Sequence, residues 1–346
     1  MIRTVAIVSL SSGVLGEGFI RHELDIGMKR LAAYGLDVRF MPHARMGIEY
    51  LHNHPEERAA DLLQALRDPE IDMILCAIGG DDTYRLLPHL FEHDELSDAA
   101  NDKVFLGFSD TTINHLMLHK VGMRTFYGQS FLADICELSD GMLPYTRRCF
   151  EELIATGGIR AIEPSDAWYE SRESRGGFGA DQIGVPLVAH ENDGFELLQG
   201  RPEFTGKILG GCLDSLFDIF DASRHSDMPD LCARYGIFPS SEEWRGRILL
   251  LETSEEKMAP EKYRRALGYL KDAGVFEVVS GVLVGKPMDG CYEQEYRREL
   301  VEIIDDPSLP VVCNINVGHA MPRCIIPFGI DAHVDVLRQS ITFAEV

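Results

Sequence analysis

Between Thr4 and Gly122 the chain alternates short apolar, β-branched runs with stretches of helical spacing, and this alternation constrains the fold more than any other feature. TVAIVSL reads as a strand, and IRHELDIGMKRLAAYG as a helix that stops at Gly35. DVRFMPH is a strand, and PEERAADLLQALRDP a helix framed by Pro55 and Pro69. IDMILCAIGG is a continuous apolar strand ending in paired glycines, and DTYRLLPHLF is helical with Pro88 as a candidate break. VFLGF is a strand, and SDTTINHLMLHKVG a helix that ends at Gly122. Such alternation predicts a parallel sheet covered by helices, and continuous apolar strands fit a sheet buried on both faces.

The rhythm breaks at EPSDAWYESRESRGGFGADQ, which is polar, glycine-rich and weakly periodic, as a domain connection or long loop would be. ASRHSDMPDLCARYGIFPSSEEW reads as a second irregular insertion. Alternation then resumes: RGRILLLET, VVSGVLVGKP and PVVCNINVG are strands, and APEKYRRALGYLKDAG and QEYRRELVEIIDDP are helices. The first of these helices places Tyr263, Leu267 and Leu270 on one face, and the tail QSITFAEV alternates like a final edge strand. With 346 residues, two domains are expected: 1–160, a connecting segment over 161–200, and 201–346.

A hydrophobic content of 45% with 26% charged residues is that of a soluble globular protein. The formal net charge of -23 repels phosphate backbones and argues against nucleic acid as a partner. No apolar run reaches bilayer-spanning length, so no membrane association is expected. The opening MIRTVAIVSLSSG has an apolar run of only a strand's length, and no signal peptide is expected. The eight cysteines include no C-x-x-C pair, and Cys76 and Cys313 sit in strand-like runs as reduced, buried thiols. A cytoplasmic location follows as an expectation.

Ligands of open parallel sheets bind beyond the carboxyl ends of strands. Four strand ends carry chemistry: Gly79 and Gly80 after CAIGG, Ser109 and Asp110 after FLGF, Glu252 at ILLLE, and His319 after CNINVG. Serine needs a neighbouring base to act as a nucleophile at neutral pH, and His319 is a candidate. The imidazole needs a carboxylate such as Glu252 to hold one tautomer and stabilise its charge. The anion of the tetrahedral intermediate needs preorganised N–H donors, each typically worth about 3–4 kcal/mol. Asp110 N–H at a helix start and Gly80, which has no side chain in the way, are the candidates.

Other readings stand beside this one. Ser109 is also the residue type of a helix N-cap, and Asp110 of a carboxylate placed for the helix dipole. GGDDT resembles the glycine–aspartate loops of small-molecule kinases, although a second aspartate stands where those have glycine and no Walker-type loop is present. A cysteine hydrolase of glutamine-amidotransferase type would need Cys where Ser109 stands. His115 and His119 are spaced like zinc ligands, but Leu116 replaces the glutamate of H-E-x-x-H, so a helix face is the better reading. His52 to His54 read as an exposed loop before a helix. GFSDT lacks the second glycine of G-x-S-x-G, which sets the chain apart from the α/β-hydrolases despite the order serine, acid, histidine.

The blocks AIGGDDTYRLLPHL, FLGFSDTTINHL, GKILGGCLDSL, ILLLETSEEKMAPEKYRRAL, GVLVGKP and VGHAMPRCIIPFGIDAHVD together resemble the LD-carboxypeptidase family of serine peptidases, especially its microcin-resistance, MccF-like branch. The resemblance implies an α/β, parallel-sheet N-terminal domain with the serine on a nucleophile elbow and a smaller mixed α/β C-terminal domain carrying acid and histidine. The family's serine falls on Ser109, its glutamate on Glu252 and its histidine on His319, with oxyanion donors at the backbone N–H groups of Gly80 and Asp110. Gly79, Asp81 and Trp168 become candidate substrate contacts; Trp168 or its neighbour Tyr169 would stack on a nucleobase. Neither metal nor organic cofactor is implied, and a homodimer is. One branch cleaves the amide between an acidic residue and a nucleotide in processed microcin-type aminoacyl adenylates. The other releases terminal D-alanine from murein tetrapeptides. Length and the wording LLLETSEEK favour the first; Cys212 in GGCLDSL departs from the more polar residue expected there.

Overall fold

The structure, a computed structural model, describes residues 1–172 and 177–344. The chain divides into two compact units, Met1–Gly158 with Arg172–Leu187, and Ile159–Ser171 with the chain from Val188 onward. Residues 173–176 of the predicted connection and 345–346 of the predicted tail strand lie outside the described residues.

In the first unit, β1 (Thr4–Val8), β2 (Asp37–Phe40), β3 (Met73–Cys76), β4 (Val104–Gly107) and β5 (Thr125–Tyr127) pair in the order β5-β4-β3-β1-β2, every pairing parallel. The helices are α1 (Arg21–Ala33), α2 (Ile48–Asn53), α3 (Pro55–Arg67), α4 (Leu87–Phe91), α5 (Glu95–Ala99), α6 (Thr111–Lys120) and α7 (Pro144–Thr156). Every residue of β3 and β4 is buried, as continuous apolar strands in a covered sheet require. The strand order reverses between β1 and β3, and such a reversal opens a crevice at the strands' carboxyl ends. The loops entering that crevice are the ones after Val8 and Cys76.

Two local expectations are corrected here. Pro88 does not break a helix; it lies in the first turn of α4, where its missing N–H costs nothing. His52 belongs to α2 rather than to a loop, and its Nδ1 lies 3.2 Å from Asp82.

The second unit contains β6 (Ala161–Ile162), β7 (Ala167–Tyr169), β8 (Ala189–Glu191), β9 (Glu196–Gln199), β10 (Glu203–Cys212), β11 (Ile248–Glu252), β12 (Gly281–Gly285), β13 (Val311–Ile315), β14 (Ile326–Phe328), β15 (Asp331–Asp335) and β16 (Ser340–Phe343). Its helices are α8 (Leu213–Asp218), α9 (Met228–Arg234), α10 (Ser241–Trp244), α11 (Pro260–Asp272) and α12 (Glu293–Ile304). An eight-stranded sheet runs β6-β16-β15-β10-β11-β12-β13-β9, parallel from β10 to β13 and antiparallel outside them. Helix α11 buries Tyr263, Ala266, Leu267 and Leu270. A fully buried leucine contributes about 1.5–3 kcal/mol, so this one stripe fastens the helix.

Three expectations change in this unit. The tail strand β16 is not at the edge, because Ile341 and Thr342 pair with Ile162 and Ala161 of β6. AWY forms β7, which pairs antiparallel with β8, so the predicted connection is partly built structure. The insertion before β11 holds α9 and α10, and α10 starts with a capping box of Ser240 and Glu243. Among the described residues, no helix is long and apolar enough to cross a membrane.

Candidate active site

Ser109 sits between the end of β4 and the start of α6 with φ of 66°, a left-handed conformation that a serine adopts only under constraint. The sharp strand-to-helix turn leaves it half-buried between buried neighbours. Its N–H donates to Tyr127 Oη at 3.2 Å. Ser109 is therefore not the N-cap of α6; Asp110 holds that position without a side-chain capping bond. The Asp110 carboxylate instead accepts Ser11 Oγ at 2.6 Å and Thr83 N–H at 2.9 Å. Burial raises its pKa, and those two donors oppose the rise.

The paired glycines have steric reasons to be glycine. A Cβ on Gly79 would lie 2.6 Å from Ser109 Cβ, 2.7 Å from its Oγ and 3.2 Å from Asp110 N. The missing side chain thus leaves open the space beside the hydroxyl and that backbone N–H. A Cβ on Gly80 would collide with Ser11 Oγ and approach Ser12 N to 2.7 Å. Asp81 is exposed, whereas Asp82 is buried and bound by Arg58, whose Nη1 donates to it at 2.5 Å. The second aspartate of GGDDT, which stands where the kinase loops have glycine, is thus committed to a buried guanidinium.

In the second unit the register of parallel β10 and β11 sets Cys212 beside Glu252 at their carboxyl ends. Glu252 is 1% exposed, and its Oε2 lies 2.8 Å from His319 Nδ1. Arg323 anchors the histidine's backbone, donating from Nε to Gly318 O and from Nη2 to His319 O at 2.9 Å. The other ring nitrogen, Nε2, faces Glu255 Oε2 at 3.0 Å. Burial alone would lower the imidazole's pKa, but Glu252 and Glu255 outweigh it and raise it to about 10. Glu255 is lowered to about 2 by its hydrogen bond to His319.

Trp168 is half-buried in the same unit. Its ring stacks on His190 at 4.4 Å and 19°, and Lys286 Nζ lies 5.2 Å from its centroid. Donor atoms of Cys212, Glu252 and His319 lie within 4.8 Å of one another and are a possible metal-holding group. The Glu252–His319 bond already uses two of them. Burial, aided by Glu252 and Asp214, pushes the Cys212 thiol well above its ordinary pKa, so it is protonated at neutral pH. His115 is fully buried between Thr125 Oγ1 at 2.7 Å and Gly107 O at 3.1 Å, a structural position in keeping with a helix-face role.

The comparisons with known proteins bear on both halves. Residues 5–128 match the LD-carboxypeptidase N-terminal domain and residues 205–334 the LD-carboxypeptidase C-terminal domain. The chain belongs to the LD-carboxypeptidase family of serine peptidases. As a member it is a serine-type, carboxypeptidase-like enzyme, with the two-domain mixed α/β architecture expected from its sequence. An MccF-like protein from Streptococcus pneumoniae, solved in complex with AMP, is similar at 57% identity with a TM-score of 0.97, covering 99% of each chain. The microcin C7 self-immunity protein MccF of Escherichia coli is 27% identical over 84% of this chain and 78% of its own. A probable murein peptide carboxypeptidase of Bacillus subtilis is 25% identical over 92% of this chain and 86% of its own.

Sequence reasoning missed Ser11, Thr83, Arg58, Tyr127 and Glu255. Ser11 follows a strand as Ser109 does, and SLSSG after TVAIV was a readable strand end. Glu255 stood inside the family-like block LLLETSEEK, three residues from Glu252. Nothing local marks Arg58 or Tyr127, which reach their partners through the tertiary fold.

Proposed function

We propose that Ser109, His319 and Glu252 act as a catalytic triad that cleaves, through an acyl-enzyme, the amide joining an acidic amino acid to a nucleotide in processed microcin-type aminoacyl adenylates. The observation that carries the reading is the buried Glu252–His319 pair at 2.8 Å, the arrangement that orients an imidazole for base catalysis. Ser109 Oγ attacks the carbonyl carbon and His319 Nε2 takes its proton. Backbone N–H groups of Asp110 and Gly80 hold the oxyanion, in the space that Gly79 leaves open. His319 then protonates the leaving nitrogen, and water resolves the acyl-enzyme by the same steps in reverse.

The nucleotide half of the reading is supported by likeness to the S. pneumoniae protein, whose structure holds AMP, and to MccF. Trp168, with Gly79 and Asp81, would contact the substrate, the indole supplying a stacking face for a base. The enzyme is proposed to work without metal or organic cofactor, as a cytoplasmic homodimer. A second reading, release of terminal D-alanine from murein tetrapeptides, is favoured by the B. subtilis relative, whose alignment spans more of this chain than that of MccF.

The test offers purified protein both glutamyl sulfamoyl adenosine and a murein tetrapeptide. Release of glutamate from the first is expected, and Ser109→Ala is expected to lose at least about 10³-fold in rate. Release of D-alanine alone would move the enzyme to the murein reading. Full activity in Ser109→Ala would end the triad reading.

A further inference from the structure

His319 has a carboxylate oxygen on each ring nitrogen, Glu252 on Nδ1 at 2.8 Å and Glu255 on Nε2 at 3.0 Å. A neutral imidazole has one donor and one acceptor, so it can satisfy only one of these partners. With the lone pair of Nε2 facing an ionised oxygen the contact would be repulsive. The ring that fits this geometry carries protons on both nitrogens. An imidazolium of that kind cannot accept a proton from serine.

We propose that Glu255 gates the catalytic base: its carboxylate holds Nε2 of His319 in the resting enzyme and must swing away before that nitrogen can take the serine's proton. The gate rests on the triad reading above. Its moving part is the side chain alone, because the surrounding segment is tied down. Ser254 N–H donates to Asp214 Oδ2 at 3.0 Å, Arg224 Nη2 binds both oxygens of Glu256 at 2.6 and 2.5 Å, and Lys257 Nζ binds Asp289 at 2.8 Å. Glu255 itself makes its contact from a side chain that is 50% exposed, so water is available to solvate the carboxylate when it turns out. Glu252, by contrast, has no exposed side-chain surface and stays in place.

The other ionisable groups around the ring do not share this role. Cys212 at the end of β10 is a protonated thiol. Asp214 in the first turn of α8 feels the ring's charge but is occupied by Ser254 N–H. Arg323 spends its guanidinium on the carbonyls of Gly318 and His319. Glu255 is the carboxylate that meets the reacting nitrogen and has solvent to leave into. While the gate is closed the ring keeps its second proton to higher pH, so wild-type activity should climb with pH above the range of an ordinary histidine, whose pKa is about 6.5, and removing the gate should move that rise down.

The experiment follows phosphonylation of Ser109 by a fluorophosphonate, which reports serine activation without assuming a substrate, across pH 5 to 10 in the wild type, Glu255→Gln and Glu255→Ala. In parallel, the ring titration of His319 is read by NMR, assigned against His319→Gln. Both Glu255 variants are expected to lower the midpoint of labelling and of ring titration by at least about one unit, and to speed labelling at pH 7 about tenfold. Glutamine keeps a hydrogen bond to Nε2 but can donate it, which tolerates a neutral ring. Labelling of Ser109 with unchanged midpoints in both variants would overturn the gate and leave the triad standing. Absence of labelling in every variant, with the ring titration still shifted, would defeat the triad reading and the gate with it.

Discussion

At the residue scale, Gly79 and Ser109 show how little room the candidate nucleophile has. Ser109 holds φ of 66° at the turn, and a side chain on Gly79 would overlap its hydroxyl. Gly79→Ala should therefore leave the sheet intact and displace Oγ or close the space beside Asp110 N–H. A misplacement of about 1 Å can cost about 10²-fold in rate, so a loss of that order in kcat/KM with an unchanged circular dichroism spectrum is expected. A variant as active as the wild type would show that the space is not used. The doublet CAIGG was legible as a strand end, but its reason was not. That reason is the Oγ of a residue 30 positions later, brought alongside by neighbouring β3 and β4.

At the element scale, the loops after β1 and β3 are joined to α3 by one side chain. Arg58 is fully buried and donates to Leu10 O at 3.3 Å, to Ser11 O at 3.1 Å and to Asp82. Removing one partner of a buried ion pair costs about 3–5 kcal/mol, because the other is left uncompensated. Arg58→Met is thus expected to lower stability by about that much in urea unfolding, with Asp82→Asn milder, since the amide keeps an acceptor for the guanidinium. Equal, small effects would place the stabilisation elsewhere. The PEERAADLLQALRDP pattern predicted this helix well from its prolines and apolar spacing. It did not reveal that Arg58 faces inward, because a charged residue on an amphipathic helix normally faces water. The short helices α9 and α10 escaped for a related reason: at seven and four residues they are too brief for periodicity to register.

At the scale of the whole molecule, two buried groups lose stability as pH rises. His319 is raised to about 10 because two carboxylates outweigh its burial, so its contribution to stability is complete below its ordinary pKa of about 6.5 and is lost as pH rises toward 10. Glu23 is raised to about 7, by burial against the opposing effect of His22, so stability is lost as pH rises from its ordinary value of 4.5 to about 7. The net charge of -23 adds self-repulsion as pH rises. Thermal melting is expected to be highest near pH 5 and to fall toward pH 9, with the part above about pH 6.5 flattened in His319→Gln and the part below about pH 7 flattened in Glu23→Gln. A melting temperature that rises from pH 6 to 9 would contradict this.

The sequence by itself determined the alternating α/β class, the strands β1 to β4 and β11 to β13, the helices α1, α3, α6, α11 and α12, and the four strand ends where chemistry gathers. Periodicity and turn residues are local properties, and buried parallel strands write an unmistakable apolar run. Only the tertiary structure decided what each of those ends touches: Asp110 on Ser11 and Thr83, Asp82 on Arg58, and Glu252 and Glu255 on the two nitrogens of one histidine. These partners lie far apart along the chain in most cases, and a hydrogen bond formed across a sheet crevice leaves no periodic signal in the residues that make it. β16 shows the same limit at a sheet margin, since alternation predicts a strand but not the two-residue β6 that covers its outer side.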